Sequence, residues 1–308
     1  MSQRCNGFGL GCLRAFGLGV LWLGAVSCQT TKIAVPTPAE SAETLTPLQL
    51  PAYQRYEQSW GTAHVVVIPR GEEVAIAATE ALQPLAAFIA EENVKFGINA
   101  GFFDPQNGKT TSHIIIDGKV VGDPADNERL VGNPNLAPYM AQILNRSEFR
   151  IYHCANERPR YDITFHDAPI PADCEINSAV GAGPQLLPED TSEIEAFTDY
   201  EGGELIRDAI GSRQLNARSA IGLDAQGVAY LMMIEKTASS TGARLSDMAE
   251  FAAALGVTKL LNLDGGSSSG LYAEPNQFYF GRVDADNKPI QRPIKSAVVV
   301  RGGSATDE

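Results

Sequence analysis

The apolar run Lys259-Leu260-Leu261-Asn262-Leu263 ends abruptly in Asp264-Gly265-Gly266-Ser267-Ser268-Ser269. A buried strand there would deliver one carboxylate into a turn rich in backbone N–H groups and hydroxyls. Gly265 and Gly266 would let the backbone approach a ligand without Cβ interference. Successive N–H groups in such a turn can cradle an anion. Acid–base chemistry and phosphate binding therefore both fit within this turn. Taken alone, the stretch reads first as a tight Asp-Gly turn.

Four other stretches carry residue types that could serve a site. Asn99-Ala100-Gly101-Phe102-Phe103 places an amide at a strand end beside two aromatic rings, which by themselves read as core. An amide both donates and accepts, which suits a sugar hydroxyl or a phosphate oxygen. Gly181-Ala182-Gly183-Pro184 is a rigid loop that could line a pocket by its backbone, or be an ordinary turn. Arg218, just before a strand, offers a guanidinium fork for bidentate phosphate binding; an isolated arginine is otherwise a surface ion-pair partner. Glu235 could be a second carboxylate, although a solvated strand end explains it as well.

Metal and cofactor chemistry finds little footing. His64, His113, His153 and His166 have no metal-binding spacing, and Asp123, Asp126 and Asn127 lack an EF-hand frame. There is no Walker or dinucleotide fingerprint and no nucleophile elbow. No cofactor and no metal are expected. The net charge of −13 opposes binding to nucleic acid and to anionic membrane surfaces. Any phosphate must be held by a local positive site.

Strands are expected at 64–68, 74–78, 94–98, 114–116, 119–121, 149–153, 161–165, 219–223, 228–234, 258–263, 270–273 and 297–301. Asp117-Gly118 marks a hairpin. One helix is expected within 83–92, with Pro84 in its first turn. A second is expected over 246–255, capped by Ser246, with Met248, Phe251, Ala252 and Leu255 on one stripe and Gly256 as the stop. The fold class read from this is α+β: a mixed, strand-rich sheet with helices packed on it, in a single catalytic domain. Each helix precedes a buried strand that ends in a polar, glycine-bearing loop. If the 94–98 and 258–263 strands are parallel neighbours, both loops open at one sheet edge.

The N-terminus reads as an export signal over 1–27, with Arg4 and Arg14 ahead of an apolar stretch. Gly24-Ala25-Val26-Ser27-Cys28 resembles a bacterial lipoprotein cleavage site, with Ala25 where leucine is usual. Cys28 is the expected lipidation point, so the membrane would be met only through this lipid or the signal itself. Residues 1–27 hold two arginines and no acid, so their removal takes the charge to −15. Residues 28–60 read as a flexible tether and lead-in, 61–302 as the domain and 303–308 as a disordered tail. Cys5 and Cys12 fall in the signal, which leaves Cys154 and Cys174. In an oxidising compartment this even pair reads as a disulfide; in a cytosolic protein it would be two free thiols. The expected location is exported, periplasmic or extracellular, anchored to the envelope.

In order along the chain, Asn99-Ala100-Gly101-Phe102-Phe103, Gly181-Ala182-Gly183-Pro184, Arg218-Ser219-Ala220-Ile221-Gly222 and Asn262-Leu263-Asp264-Gly265-Gly266 resemble the phosphodiester glycosidase family. A Gly-x-x-Leu-x-x-Met helix from Gly242 precedes the last motif. The resemblance runs from about Gly61 to Gly302. Ser267 stands where the family usually has a third glycine, and Ser219 where threonine is frequent. The resemblance implies hydrolysis between a sugar anomeric carbon and phosphate in a sugar-1-phosphodiester, with an envelope or extracellular glycan as substrate. It implies Asp264 as nucleophile or base, Arg218 with Gly265, Gly266, Ser267 and Ser268 on the phosphate, and Asn99 orienting sugar or phosphate. Gly101, Gly183 and Glu235 are expected at the substrate. The rival readings are a non-catalytic glycan-binding lipoprotein and a metal-dependent phosphodiesterase.

Overall fold

The computed structural model describes residues 52–302, apart from 70–71, 91–92 and 156–158. The signal, Cys28, most of the tether and the 303–308 tail lie outside the described residues. Three sheets carry the fold. The first is ordered Ala52–Gln58, Gly61–Ile68, Ala229–Ile234, Arg218–Asp224, Val257–Asn262, Gln185–Leu187. The second is ordered Gln277–Phe280, Gly270–Ala273, Val94–Asn99, Ile294–Arg301, Glu73–Gln83. The third is ordered Lys119–Gly122, Ile114–Ile116, Cys174–Gly181, Ser147–Cys154, Arg160–Phe165. A two-stranded ribbon pairs Thr198–Glu201 with Glu204–Asp208.

Side-chain alternation explains the layering. In the first sheet Val66, Ile68, Ile221, Leu231, Met233 and Leu261 point into a core shared with Ile98, Val298, Phe149 and Val180 of the other sheets. Their neighbours Val65, Val67, Ala220, Met232 and Ile234 point the other way, onto the helix Leu245–Ala254 through Met248, Phe251 and Ala252. Period two in a strand produces this division. Strands buried on both faces therefore read as continuous apolar runs, which is why the sequence located them. The short helix Leu85–Ile89 covers the second sheet in the same manner, with Leu85 and Phe88 on Ala297 and Val299.

Several expectations need correction. The strand-dominated character stands, but the single mixed sheet does not: every ladder between the described strands is antiparallel. Val94–Asn99 and Val257–Asn262 lie in different sheets rather than side by side. An apolar run buried on both faces carries no mark of parallel or antiparallel pairing. The longer helix begins at Leu245, with Arg244 at its cap in place of Ser246. The Asp247 carboxylate accepts from the Arg244 N–H at 2.8 Å and fixes the cap two residues earlier than Ser246. A strand also precedes Gly61. Ala52–Gln58 pairs with Gly61–Ile68 in full register, and its buried contacts come from Tyr53 on Tyr279 and Tyr56 on Phe251. A half-exposed edge strand of polar residues has no strong hydrophobic period, so it was indistinct in sequence.

Cys154 and Cys174 are bonded, at cross-strand partners where Ser147–Cys154 meets Cys174–Gly181. The sequence separation is 20 residues. Closing a loop of that length is worth about 3 kcal/mol through the unfolded state. Thiol titration of the unfolded, unreduced protein should find neither cysteine free. Replacing both by alanine should lower stability by about that amount while retaining the fold; unchanged melting would show that the ladder alone holds this edge.

Candidate active site

Although they belong to different sheets, the strands ending at Asn99 and Asn262 deliver their loops to one place. The Asp264 N–H donates to the Ala100 carbonyl at 2.9 Å, and the Leu263 N–H to the Ser219 carbonyl at 2.8 Å. Asn99 is buried between these segments. Its Nδ2 donates to the Asp264 carbonyl at 2.5 Å, and its Oδ1 accepts from the Ser219 hydroxyl at 2.7 Å and the Gly270 N–H at 3.1 Å. Asn99 thus holds the Asp264 turn from behind. It does not offer its amide to a substrate, which corrects the role expected of it.

In front of the turn is a cavity of about 260 Å³ bordered by Phe102, Asn216, Arg218, Asn262 and Asp264, with Gly265 and Gly266 at its edge. A larger surface hollow, about 690 Å³, lies at Asp224 and Thr258, the opposite ends of the same strands, and shares no residue with the expected site. The glycine turn is required here. Gly266 has φ +64° with its N–H on the Ala217 carbonyl at 2.9 Å, a left-handed backbone that side chains disfavour.

Asp264 keeps part of its surface open to the cavity. Burial pushes its carboxyl up to about 6, against the opposing pull of the Ser268 hydroxyl, the Arg292 charge and the Gly265 N–H. It is therefore poised to exchange a proton near neutral pH. Arg292 donates from Nη1 to the Ser267 hydroxyl at 3.1 Å and lies over the Phe103 ring at 5.5 Å. Arg292 was not singled out in the sequence. Nothing local marks an arginine in Gln291-Arg292-Pro293, and only the fold brings it to the Asp264 turn.

Arg218 also departs from expectation. It is buried, and its guanidinium donates to four backbone carbonyls: Nε to Ala243, Nη1 to Ile210, and Nη2 to Gly211 and Gln214, at 2.6–3.2 Å. Of its five N–H groups one, on Nη1, is left. Desolvation lowers its pKa to about 10. Arg218 ties the 210–214 loop to the strand end and shapes the cavity wall; it is not a free phosphate fork.

Asn262 supplies what the sequence reading overlooked. Its Nδ2 donates to the Gly183 carbonyl at 2.8 Å, and the Gly183 N–H returns to the Asn262 carbonyl at 2.9 Å. Its Oδ1, at the cavity, has no partner among the described residues, and neither has the buried Ser269 hydroxyl. A buried acceptor without a donor is costly, which marks it as a place for a ligand hydroxyl.

Gly101 and Gly183 serve packing instead of substrate. A Cβ on Gly101 would fall 2.7 Å from the Gly181 carbonyl. At Gly183 it would clash with the Glu195 carboxylate and fall 2.8 Å from the Phe197 ring. Glu235 does not border the cavity. It lies 2.8 Å from His64 Nε2, while His64 Nδ1 is 2.8 Å from the Tyr53 hydroxyl and Tyr279 packs on the imidazole. Among the described residues no group of three or more His, Cys, Asp or Glu side chains could hold a metal.

The family model for phosphodiester glycosidase matches residues 92–301. Among solved structures, the chain is similar to the catalytic domain of zebrafish N-acetylglucosamine-1-phosphodiester alpha-N-acetylglucosaminidase, auto-inhibited by its pro-peptide. That match has a TM-score of 0.54 and 14% identity, and it covers 82% of each chain. It is also similar to a presumptive exported protein of Burkholderia pseudomallei, with a TM-score of 0.57 and 13% identity over 78% of this chain and 74% of that one. At these identities the two structures share the fold. No curated protein matches the chain.

The allocation of the Arg218 donors leads to a measurable result. Arg218→Lys keeps the charge but cannot reach four carbonyls, so stability should fall by about 2–4 kcal/mol. Thermal melting checks this. Unchanged melting with a loss of phosphate affinity would return Arg218 to the substrate-binding role.

Proposed function

This chain belongs to the phosphodiester glycosidase family, and from that premise we propose that it hydrolyses the bond between a sugar anomeric carbon and phosphate in a sugar-1-phosphodiester. The observation that carries the reading is the Asp264 carboxylate, raised to about 6 in a cavity that Asn262, with its buried and unpartnered Oδ1, also borders. The substrate is proposed to be an envelope or extracellular glycan.

In this reading the C1–O bond breaks and its oxygen departs with the phosphate. A phosphate monoester is a good leaving group, so the demands are to hold its charge and to stabilise an oxocarbenium-like carbon. Arg292, already tied to the Ser267 hydroxyl, supplies the positive charge, and the 265–268 turn supplies N–H and hydroxyl donors. Asn262 Oδ1 accepts a sugar hydroxyl. Ionised Asp264 attacks C1 directly or takes a proton from the water that does. The oxygen added to C1 comes from water in either course.

Hydrolysis in ¹⁸O-water should place the label in the sugar. Label in the phosphate would mean P–O cleavage and would reject the reading. Asp264→Asn should keep the fold and lower kcat by about 10³-fold or more, since an amide is neither base nor nucleophile. A folded, fully active variant would remove Asp264 from the chemistry, and wild-type protein that binds glycan phosphates without turnover would support a binding protein.

The pH dependence has a definite sign. The ionised form acts, so kcat/KM should rise with pH through about 6 and then level off. A falling limb there would make Asp264 an acid. Stability runs the other way. The folded carboxyl holds its proton more tightly than the unfolded one, so stability is lost as pH climbs from about 4 to about 6. In Asp264→Asn this slope should vanish, with a gain of about 1 kcal/mol above pH 6 after allowing for the exposed part of the side chain.

We also propose that the protein is exported and held at the envelope by a lipid on Cys28, on the strength of the N-terminal pattern alone. Mass spectrometry of the mature N-terminus should find a diacylglyceryl cysteine. An intact Met1 or a free N-terminus elsewhere would reject the anchor.

A further inference from the structure

Beside the Asp264 cavity, behind the Phe102 ring that borders it, lies a pair of arginines. Phe102 packs on Phe197 with ring centroids 5.7 Å apart. The guanidinium of Arg146 covers the Phe197 ring at 3.7 Å, and that of Arg207 lies over the Tyr139 ring at 4.9 Å. The two are tethered alike. Arg146 Nε donates to the Glu195 carbonyl at 3.1 Å, and Arg207 Nε to the next carbonyl, Ala196, at 2.9 Å. Consecutive carbonyls therefore hold two like charges close enough to repel.

The nearby acids take their hydrogen bonds from other donors, although the Glu195 charge still favours the charged form of Arg146 and outweighs the repulsion from Arg207. The Glu195 carboxylate accepts from the Ser147 N–H and hydroxyl, the Gln185 N–H and the Thr191 hydroxyl. Asp199, opposite Arg207 in the ribbon, accepts from the Tyr139 hydroxyl at 2.6 Å and the Tyr200 N–H at 2.8 Å. Neither arginine forms an ion pair within 4 Å, and no described residue accepts a hydrogen bond from their Nη groups. Burial pulls the Arg146 guanidinium down to about 10, so holding it charged here costs free energy. Both side chains are part-exposed, so their unused Nη groups face solvent, and an anion that replaces this water gains charge-assisted bidentate hydrogen bonds. Aromatic faces beneath both guanidinium planes keep them oriented without occupying those forks.

We propose that Arg146 and Arg207 form a second anion subsite, which takes a further phosphate of the same anionic glycan whose scissile diester occupies the Asp264 cavity. The extension to a glycan rests on the hydrolase reading above; the anion site itself does not. Such a subsite would favour repeating sugar-phosphate polymers over substrates with one charge.

Isotope-labelled arginine in the full chain gives each guanidinium its own NMR signal, assigned by its absence in Arg146→Gln and Arg207→Gln. Titration with inorganic phosphate should shift the Arg146 and Arg207 signals saturably, and the shifts should persist in Asp264→Asn, whether or not the protein is a hydrolase. If neither signal moves, the subsite is refuted. Sugar-phosphate oligomers of two to four repeats should bind at least about tenfold more tightly than inorganic phosphate by spanning both sites. That advantage should disappear in Arg146→Gln with Arg207→Gln. Oligomers no tighter than phosphate would mean an adventitious ion only and would reject the glycan role. If Arg146→Gln lowers the melting temperature, Arg207→Gln alone decides, since it leaves the Phe197 contact intact; unaltered oligomer binding in that variant overturns the proposal.

Discussion

The Asn99 side chain is the constraint on which the site depends. One amide joins the Asp264 carbonyl, the Ser219 hydroxyl and the Gly270 N–H, and so ties together chain segments from two different sheets. Two antiparallel sheets packed face to face have no backbone hydrogen bonds between them. Without the Asn99 cross-link, the ends of Val94–Asn99 and Val257–Asn262 would be held by apolar packing, which is strong but non-directional, and by the backbone bond from the Asp264 N–H to the Ala100 carbonyl. An amide with both donor and acceptor fixes the turn's position as well as its proximity. The orientation of the Asp264 carboxylate follows from where its carbonyl is held.

Around that anchor the protein uses arginines as connectors of backbone. Arg218 spends four donors on loop carbonyls, and Arg146 and Arg207 each spend one on neighbouring carbonyls. Carbonyls orient a guanidinium without cancelling its charge, whereas a carboxylate would do both. An acidic chain can in this way maintain positive ground near one cavity. The Ser268 hydroxyl, the Arg292 charge and the Gly265 N–H keep the carboxyl of Asp264 from rising as far as burial alone would drive it.

Much of this was legible one residue at a time. The continuous runs at Ala63–Ile68 and Ala297–Val300 announced buried strands because both faces are covered. Gly256 ended the long helix where a positive φ of +88° is needed. The edge strand Ala52–Gln58 and the central strand Cys174–Gly181 were not legible. The first is stabilised by pairing and two tyrosine contacts, and the second opens with the polar residues Glu175, Asn177 and Ser178, which interrupt any apolar run before its buried end.

The sequence by itself determined the kinds of chemistry available: a carboxylate in a glycine-serine turn, an amide at a second strand end, an arginine at the head of a strand, and one bondable pair of cysteines. Only the tertiary structure decided which of these groups were used up in holding the fold. Asn99 and Arg218 carried the right atoms for substrate binding, yet the partners of Asn99 arrive from segments far away in the chain and those of Arg218 from loops whose paths only the fold sets. Asn262, inconspicuous in an apolar run, kept its acceptor open, and Arg292 came to Asp264 from the far end of the domain. A local pattern records which donors and acceptors a residue has; whether they are already satisfied depends on neighbours that folding alone brings within hydrogen-bond reach.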